Sequence, residues 1–226
     1  MNIVAIIPAR GGSKGIPRKN LKPIAGRPLI EWTIGQALAV PGLRVVVSTE
    51  DAEIAATAAA AGAEVIERPA ELAQDTTATE PVVEHAIAEL TSRGERPDAV
   101  MLLQATSPVR LPGTLERAIG EFVSSGADST VGVVAQAPFL WHWGFPSRAD
   151  YDHTRRPRRQ DLSAPDFRYR ETGSVYLTKT EIYEREHNRL GGRIGLFLMS
   201  DIEGSDVDTL LDWELAEARL RSLDGS

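Results

Sequence analysis

Residues 3–7 form an apolar run that stops at Pro8 and opens into a turn holding three glycines, a serine and several cations, before helix-like sequence resumes at Pro28. This order constrains the fold strongly, because it is how a strand hands a phosphate-binding loop to a helix. Gly11, Gly12 and Gly15 let backbone N–H groups form a concave nest around an anion, while Arg10, Lys14, Arg18 and Lys19 supply positive charge. The first acidic residue is Glu31, so the opening 30 residues carry six cations in a chain of net charge −7. Such focusing points to an anion site, with a structural turn as the alternative. Neither the Walker A pattern nor the dinucleotide glycine pattern is present.

Beyond the loop the chain alternates between two periods. Leu29, Ile30, Ile34, Ala37 and Leu38 carry the spacing of one helix face, and residues 44–49 follow as a β-branched run fit for a buried strand. Helices are predicted over 51–61, 80–93, 112–125 and 179–186, and strands over 64–67, 98–103, 129–135, 173–177 and 194–199. A last helix over 210–223 is expected to bury Leu211, Leu215 and Ala218. Strands alternating with helices predict an α/β fold with a mostly parallel, Rossmann-like sheet wound by right-handed crossovers.

Residues 136–171 interrupt this regularity with prolines, the Trp141-His142-Trp143 group and Arg155, Arg156, Arg158, Arg159, Arg168 and Arg170. So long a segment inside a compact domain is functional or interfacial. The expectation is one domain over 1–226 with this segment inserted. Arginine interleaved with aromatics can hold single-stranded nucleic acid, but the acidic balance of the whole chain favours a neighbouring subunit or an acidic ligand instead. Cysteine is absent. That removes disulfides and thiolate metal sites, and with no leader-like or membrane-length apolar run the expectation is a cytoplasmic protein without a membrane partner.

Two further features gather around the loop. In open α/β sheets ligands bind beyond the carboxyl ends of the strands, which places Gln104, just after the 98–103 strand, at the same crevice as the loop. Its amide can read a base edge or a sugar hydroxyl, or serve the fold. Asp206 and Asp208 stand two apart in an extended turn before the last helix, so both carboxylates can face one way. Hard oxygen ligands of this kind suit Mg²⁺, whose other positions are filled by water and phosphate. Capping of the helix by Asp208 or Thr209 is the plainer alternative.

Read together, residues 6–20, Arg68-Pro-Ala-Glu-Leu, Leu103-Gln104-Ala-Thr-Ser-Pro-Val-Arg110, Arg159-Gln160-Asp161-Leu162, Gly173-Ser174-Val175-Tyr176 and Asp206-Val-Asp208-Thr209 resemble the acylneuraminate cytidylyltransferases, in order along the chain. The resemblance implies a nucleotidyltransferase-type fold and transfer of a cytidylyl group from CTP to the anomeric hydroxyl of a 2-keto sugar acid, with Mg²⁺ and release of pyrophosphate. It implies that Arg10, Gly11, Gly12, Ser13 and Lys19 hold the triphosphate, with Lys19 at the α-phosphate, and that Asn20, Arg68 and Thr79 contact the nucleotide. Gln104, Arg159, Arg170 and Tyr176 would serve the sugar acid, Asp206 and Asp208 the metal. It also implies a homodimer formed through residues 136–171, with Arg159 reaching the neighbouring site. No histidine stands out as a base, so a metal-bound hydroxide, or direct activation of the sugar hydroxyl by the metal, is the expectation. Two positions depart from the family pattern: Pro138-Phe139-Leu140-Trp141 stands where a lysine follows a proline, and Thr172 where an asparagine precedes the glycine. Both lie on the sugar side, so pseudaminic, legionaminic or deaminated acids are alternative acceptors, and a catalytically silent nucleotide sensor is the alternative function.

Overall fold

Short runs that are apolar on both faces can satisfy their backbone and bury their side chains only inside a covered sheet. Such runs form the middle of a sheet built from β1 (Ile3–Pro8), β2 (Arg44–Thr49), β3 (Glu64–Glu67), β4 (Ala99–Leu103), β5 (Ser129–Gln136), β6 (Arg168–Lys179) and β7 (Ile194–Leu198). The computed structural model describes residues 1–13 and 15–224, so the charge expected of Lys14 lies outside the described residues. Across the sheet the order is β7-β5-β6-β4-β1-β2-β3. Every neighbouring pair is parallel except those of β6, which runs antiparallel to both β4 and β5.

The period of two along β1 sorts its side chains between two layers. Ile3, Ala5 and Ile7 face a cluster with α1 (Leu29–Leu38), α2 (Ala52–Ala60) and α4 (Thr114–Ser125). Val4 and Ile6 face the opposite cluster with α3 (Thr79–Ser92) and α5 (Thr180–Glu186). A third cluster joins α1, through Leu29 and Trp32, to α6 (Leu210–Asp224), through Trp213, Ala216 and Leu220. Ile16 of the opening loop and Val207 of the acidic segment are both buried in it. Each such aliphatic side chain contributes about 1.5–3 kcal/mol when taken fully out of water. The third cluster therefore fixes both halves of the anticipated site to one another.

Three differences from the sequence reading have physical causes. The last helix buries Trp213, Ala216 and Leu220, while Leu211 is 74% and Leu215 48% exposed and Ala218 faces solvent. The spacing of 213, 216 and 220 also makes a helical stripe, and the large Trp213 ring, with Lys22 above it at 4.6 Å, sets the phase against the leucine-rich one. β6 begins at Arg168 rather than near 173, because its first residues are exposed and polar and carry no apolar alternation. Its register against β5 shifts between Glu171 and Tyr176, as a bulge produces. Finally, residues 136–171 contain a small ribbon, Trp141–His142 against Arg148–Ala149, too short for sequence periodicity to show. At the edge of the sheet, Ile194, Leu196 and Leu198 of β7 are exposed.

Candidate functional site

The carboxyl ends of β1, β3 and β4 open into a cleft of about 400 Å³. Arg10, Ser13, Gly15, Lys19, Asn20, Arg68, Thr79, Gln104 and Asp208 all line it. The loop that forms its floor is tied down by side chains from three directions. Arg68, only 5% exposed, donates through Nη2 to the carbonyls of Ala9 at 2.6 Å and Ser48 at 2.7 Å. Asn20 donates to the Arg10 carbonyl at 3.0 Å, and the Gly11 N–H donates to Glu50 Oε1 at 2.8 Å. Hydrogen bonds from a charged donor contribute about 1.5–3 kcal/mol each, so Arg68 alone holds the end of β1 firmly. Its burial pushes the guanidinium pKa down, partly opposed by Glu50, whose Oε2 lies 3.5 Å away.

The loop cations have different fates. Arg18 turns away from the cleft, clasped by Asp51, the N-cap of α2, and by Glu53 at 2.6 Å. Arg10 stays at the cleft rim, 2.8 Å from Asp75 Oδ1 and 3.2 Å from the Gln74 carbonyl. Lys19 crosses the cleft and donates to the Val207 carbonyl at 2.6 Å and to Asp208 Oδ1 at 3.3 Å. Gly15 lies so close to the acidic segment that a Cβ there would sit 2.6 Å from the Asp208 carbonyl oxygen. Gly12 faces open space. The first turn of α3, capped by no side chain, presents Ala78 and Thr79 to the cleft, where its dipole favours an anion.

Asp206 and Asp208 are not consumed by the helix that follows. Thr209 caps α6: its hydroxyl accepts from Asp212 N–H at 3.2 Å while Asp212 Oδ2 accepts Thr209 N–H at 2.8 Å. Asp208 is left facing the cleft, and Asp206 accepts from the Ser107 hydroxyl at 3.4 Å. The residue Asp206 keeps solvent contact, yet its carboxyl end is crowded. Burial raises its pKa, with Asp208 as a further cause and Thr106 and Lys19 opposing. The charge of Asp208 beside Asp206 makes the site a fitting one for a cation. Among the described residues no cluster of three histidine, aspartate or glutamate side chains forms a metal site, so the pair would supply two ligands and leave the rest to water and phosphate.

The anticipated sugar-side residues are spread out. Gln104 lines the cleft. Arg170 donates to the Gly204 carbonyl at 3.2 Å and borders a neighbouring hollow of about 230 Å³ together with Asp206 and Arg219. Tyr176 is buried in the core. Its hydroxyl donates to Glu171 at 3.0 Å, and burial with the Glu171 charge pushes its pKa up to about 12. Arg159 lies on residues 136–171, 5.9 Å from the Phe139 ring centroid and outside the cleft. Sequence reasoning missed Glu50, Asp75 and Ser107. Asp75 sits in the polar connection after β3, beyond a strand's carboxyl end, which is a usable signal. Glu50 and Ser107 act on backbone and on Asp206, which only the assembled fold reveals.

A chain whose glycine-rich cationic loop meets an acidic pair across an α/β cleft belongs to the nucleotide-handling class. Residues 4–138 match the cytidylyltransferase family, and the chain belongs to that family. It is 37% identical to N-acylneuraminate cytidylyltransferase A of Danio rerio over 97% of this chain and 51% of that one, so it spans about half the length of that relative. It is 34% identical to the CMP-N,N'-diacetyllegionaminic acid synthase of Legionella pneumophila, over 96% of this chain and 95% of that one. A pseudaminic acid cytidylyltransferase of Campylobacter jejuni is 31% identical over 96% and 95%. The fold is shared with a CMP:2-keto-3-deoxy-manno-octonic acid synthetase solved with CTP, at TM-score 0.73, 21% identity and coverage of 98% of this chain and 99% of that one.

Proposed function

We propose that this chain transfers CMP from CTP to the anomeric hydroxyl of a sialic-acid-like 2-keto sugar acid and releases pyrophosphate. The observation that carries the reading is the Lys19 contact with the Val207–Asp208 segment, which brings the cationic loop and Asp208 into one cleft, with Asp206 at the adjoining hollow. The names of the full-length bacterial relatives support it.

In this reading Arg10, Ser13 and Lys19 hold the triphosphate, while Gly11, whose N–H is held by Glu50, and Gly12 shape the turn that presents them. Thr79 and the open first turn of α3 meet the nucleotide, while Asn20 and Arg68 act mainly by fixing the loop carbonyls. The sugar hydroxyl gives its proton to water as its oxygen attacks the α-phosphorus in line, the bond from the α-phosphorus to the α–β bridging oxygen breaks, and pyrophosphate leaves with that electron pair. Such a reaction needs positioning and charge stabilisation above all, and Lys19 supplies positive charge at the α-phosphate. Asp206 and Asp208 would hold Mg²⁺, which when bound offsets phosphate charge and orients the reacting oxygens. None of the four histidines lines the cleft.

The acceptor sits beside Gln104, toward the hollow of Arg170. Legionaminic and pseudaminic acids are the second reading of the acceptor, supported by the relatives that carry those names. A homodimer through residues 136–171, with Arg159 directed to the partner's site, and a cytoplasmic location complete the proposal. No described helix is long and apolar enough to cross a membrane.

Pyrophosphate release measured with each of the four nucleoside triphosphates, Mg²⁺ and a panel of 2-keto sugar acids tests the reading. Release is expected with CTP and one or a few acids. Tight CTP binding with no release across the panel would instead make the chain a silent nucleotide-binding homologue, and salt-sensitive oligonucleotide binding would point to the arginines of 136–171 as a nucleic-acid surface.

A further inference from the structure

Arg110 and Glu203 are buried charges that no part of the proposed chemistry uses, at 3% and 0% exposure. Neither has an oppositely charged group in contact among the described ion pairs. Arg110 donates through Nη2 to the carbonyls of Gln104 at 3.2 Å and Ser174 at 2.9 Å, and through Nη1 to Gln36 Oε1 at 2.9 Å and Thr33 Oγ1 at 3.2 Å on α1. Its Nε has no partner. Glu203 Oε1 accepts from the Leu111 N–H at 2.9 Å and the Thr114 hydroxyl at 2.6 Å, and Oε2 accepts from the Ser200 N–H at 2.9 Å.

What they hold is informative. Ser174 follows Gly173, which has φ +70° at the β6 bulge and lies so near Gln104 that a Cβ there would be 3.1 Å from Gln104 Oε1. Arg110 thus fixes both the strand tip carrying Gln104 and the bulge pressing on its amide. Glu203 closes the turn that runs directly into Asp206, and grips the residue after Arg110. Burying a guanidinium and a carboxylate without direct pairing disfavours folding, so they are a poor device for stability alone. Their attraction is nevertheless felt: burial pulls the Arg110 pKa down to about 9, and Glu203 works against that fall.

We propose that Arg110 and Glu203 form a positioning couple that sets the distance between Gln104 and the pair Asp206 and Asp208. It rests on the functional reading above, in which those groups face the acceptor and the metal. Neither is a catalytic residue.

Three full-length variants test it: Glu203→Gln, which places an amide donor against donors, Arg110→Lys, which keeps charge but loses the fork, and the mild Thr114→Val, which removes one donor to Glu203. Each is checked for fold by circular dichroism, then for CTP affinity, kcat, KM for the acceptor, and the Mg²⁺ midpoint of the melting shift produced by CTP. The expected result is a kcat lower by about 10- to 100-fold in the first two, in keeping with displaced reacting groups, a smaller fall in Thr114→Val, a raised Mg²⁺ midpoint and CTP affinity little changed. Folded variants with wild-type kcat, acceptor KM and Mg²⁺ midpoint would overturn the inference. If the wild type shows no turnover, the functional reading fails, and the couple is judged by the Mg²⁺ midpoint alone. If the first two variants do not fold, Thr114→Val decides, and unchanged values in it overturn the proposal.

Discussion

The arginines inside the sheet layers and those on residues 136–171 are the same side chain put to opposite uses. Arg68 and Arg110 are buried and spend their donors mainly on backbone carbonyls: Ala9 and Ser48 for one, Gln104 and Ser174 for the other. Outside, Arg156 stacks 4.0 Å above Phe139 and donates to the Tyr151 hydroxyl at 2.8 Å, and Arg158 pairs with Asp161 three residues along. Trp143 and Phe145 stand fully in solvent beside them. A buried guanidinium has no water to return to, so it fixes whatever it touches. An exposed one keeps hydration as an alternative and can be recruited by a ligand or a second copy. Lys19 lies between these extremes, largely covered by protein yet reaching into the cleft.

The largest effect is expected at this intermediate cation. Lys19→Met should lower pyrophosphate release from CTP by about 10²- to 10³-fold, as loss of a positioned transition-state donor does, with a melting temperature lower by only a few degrees for the lost bond to the Val207 carbonyl. A turnover close to wild type would place Lys19 with the structural arginines. Arg68→Met should act the other way and destabilise the chain by about 3 kcal/mol in urea unfolding, since two backbone carbonyls lose a charged donor. Unaltered stability would break the distinction drawn for buried arginines.

Arg156→Ala and Arg159→Ala should change unfolding free energy by no more than about 0.5 kcal/mol while weakening self-association in sedimentation experiments. A large loss of monomer stability would show that the outer arginines also hold backbone. The smallest effect concerns a carboxylate at the far end of the sheet. Asp128 accepts from Lys179 Nζ at 2.7 Å and from the Arg193 N–H at 2.8 Å, which holds its pKa at about 2. A carboxyl lowered on folding stabilises the native state above its unfolded pKa, and that contribution fades as pH falls from about 4 toward 2. Asp128→Asn should flatten the stability profile in that window alone, as followed by thermal melts at stepped pH.

The contrast also explains what was legible in the sequence. β2 announced itself at its exact bounds because its Val45-Val46-Val47 centre is apolar on both faces, and β3 because Val65-Ile66 stands between Gly62 and Pro69. The loop of residues 10–20 was equally plain, since glycine and charge cannot concentrate there for the sake of a core. The phase of α6 was misread, because Leu211 and Leu215 make as good a helical stripe as Trp213 and Leu220, and only packing against Ile16 and Val207 selects between them. The start of β6 was hidden by Arg168 and Arg170, polar residues on an exposed stretch of strand. The hold of Arg110 on two distant carbonyls leaves no local periodicity at all.

β6 enters the sheet between β4 and β5, two strands that precede it in the chain and do not pair with each other. A nascent chain that has completed β5 therefore carries a four-stranded parallel sheet with an open edge at β4, while β5 itself has no strand partner until β6 and β7 emerge. On docking, β6 brings Ser174 to Arg110 and Gly173 to Gln104. Loop closure across residues 137–167 comes before any pairing of β6 with β4, which makes the docking of residues 168–179 a late event and the step that joins β5 to the sheet.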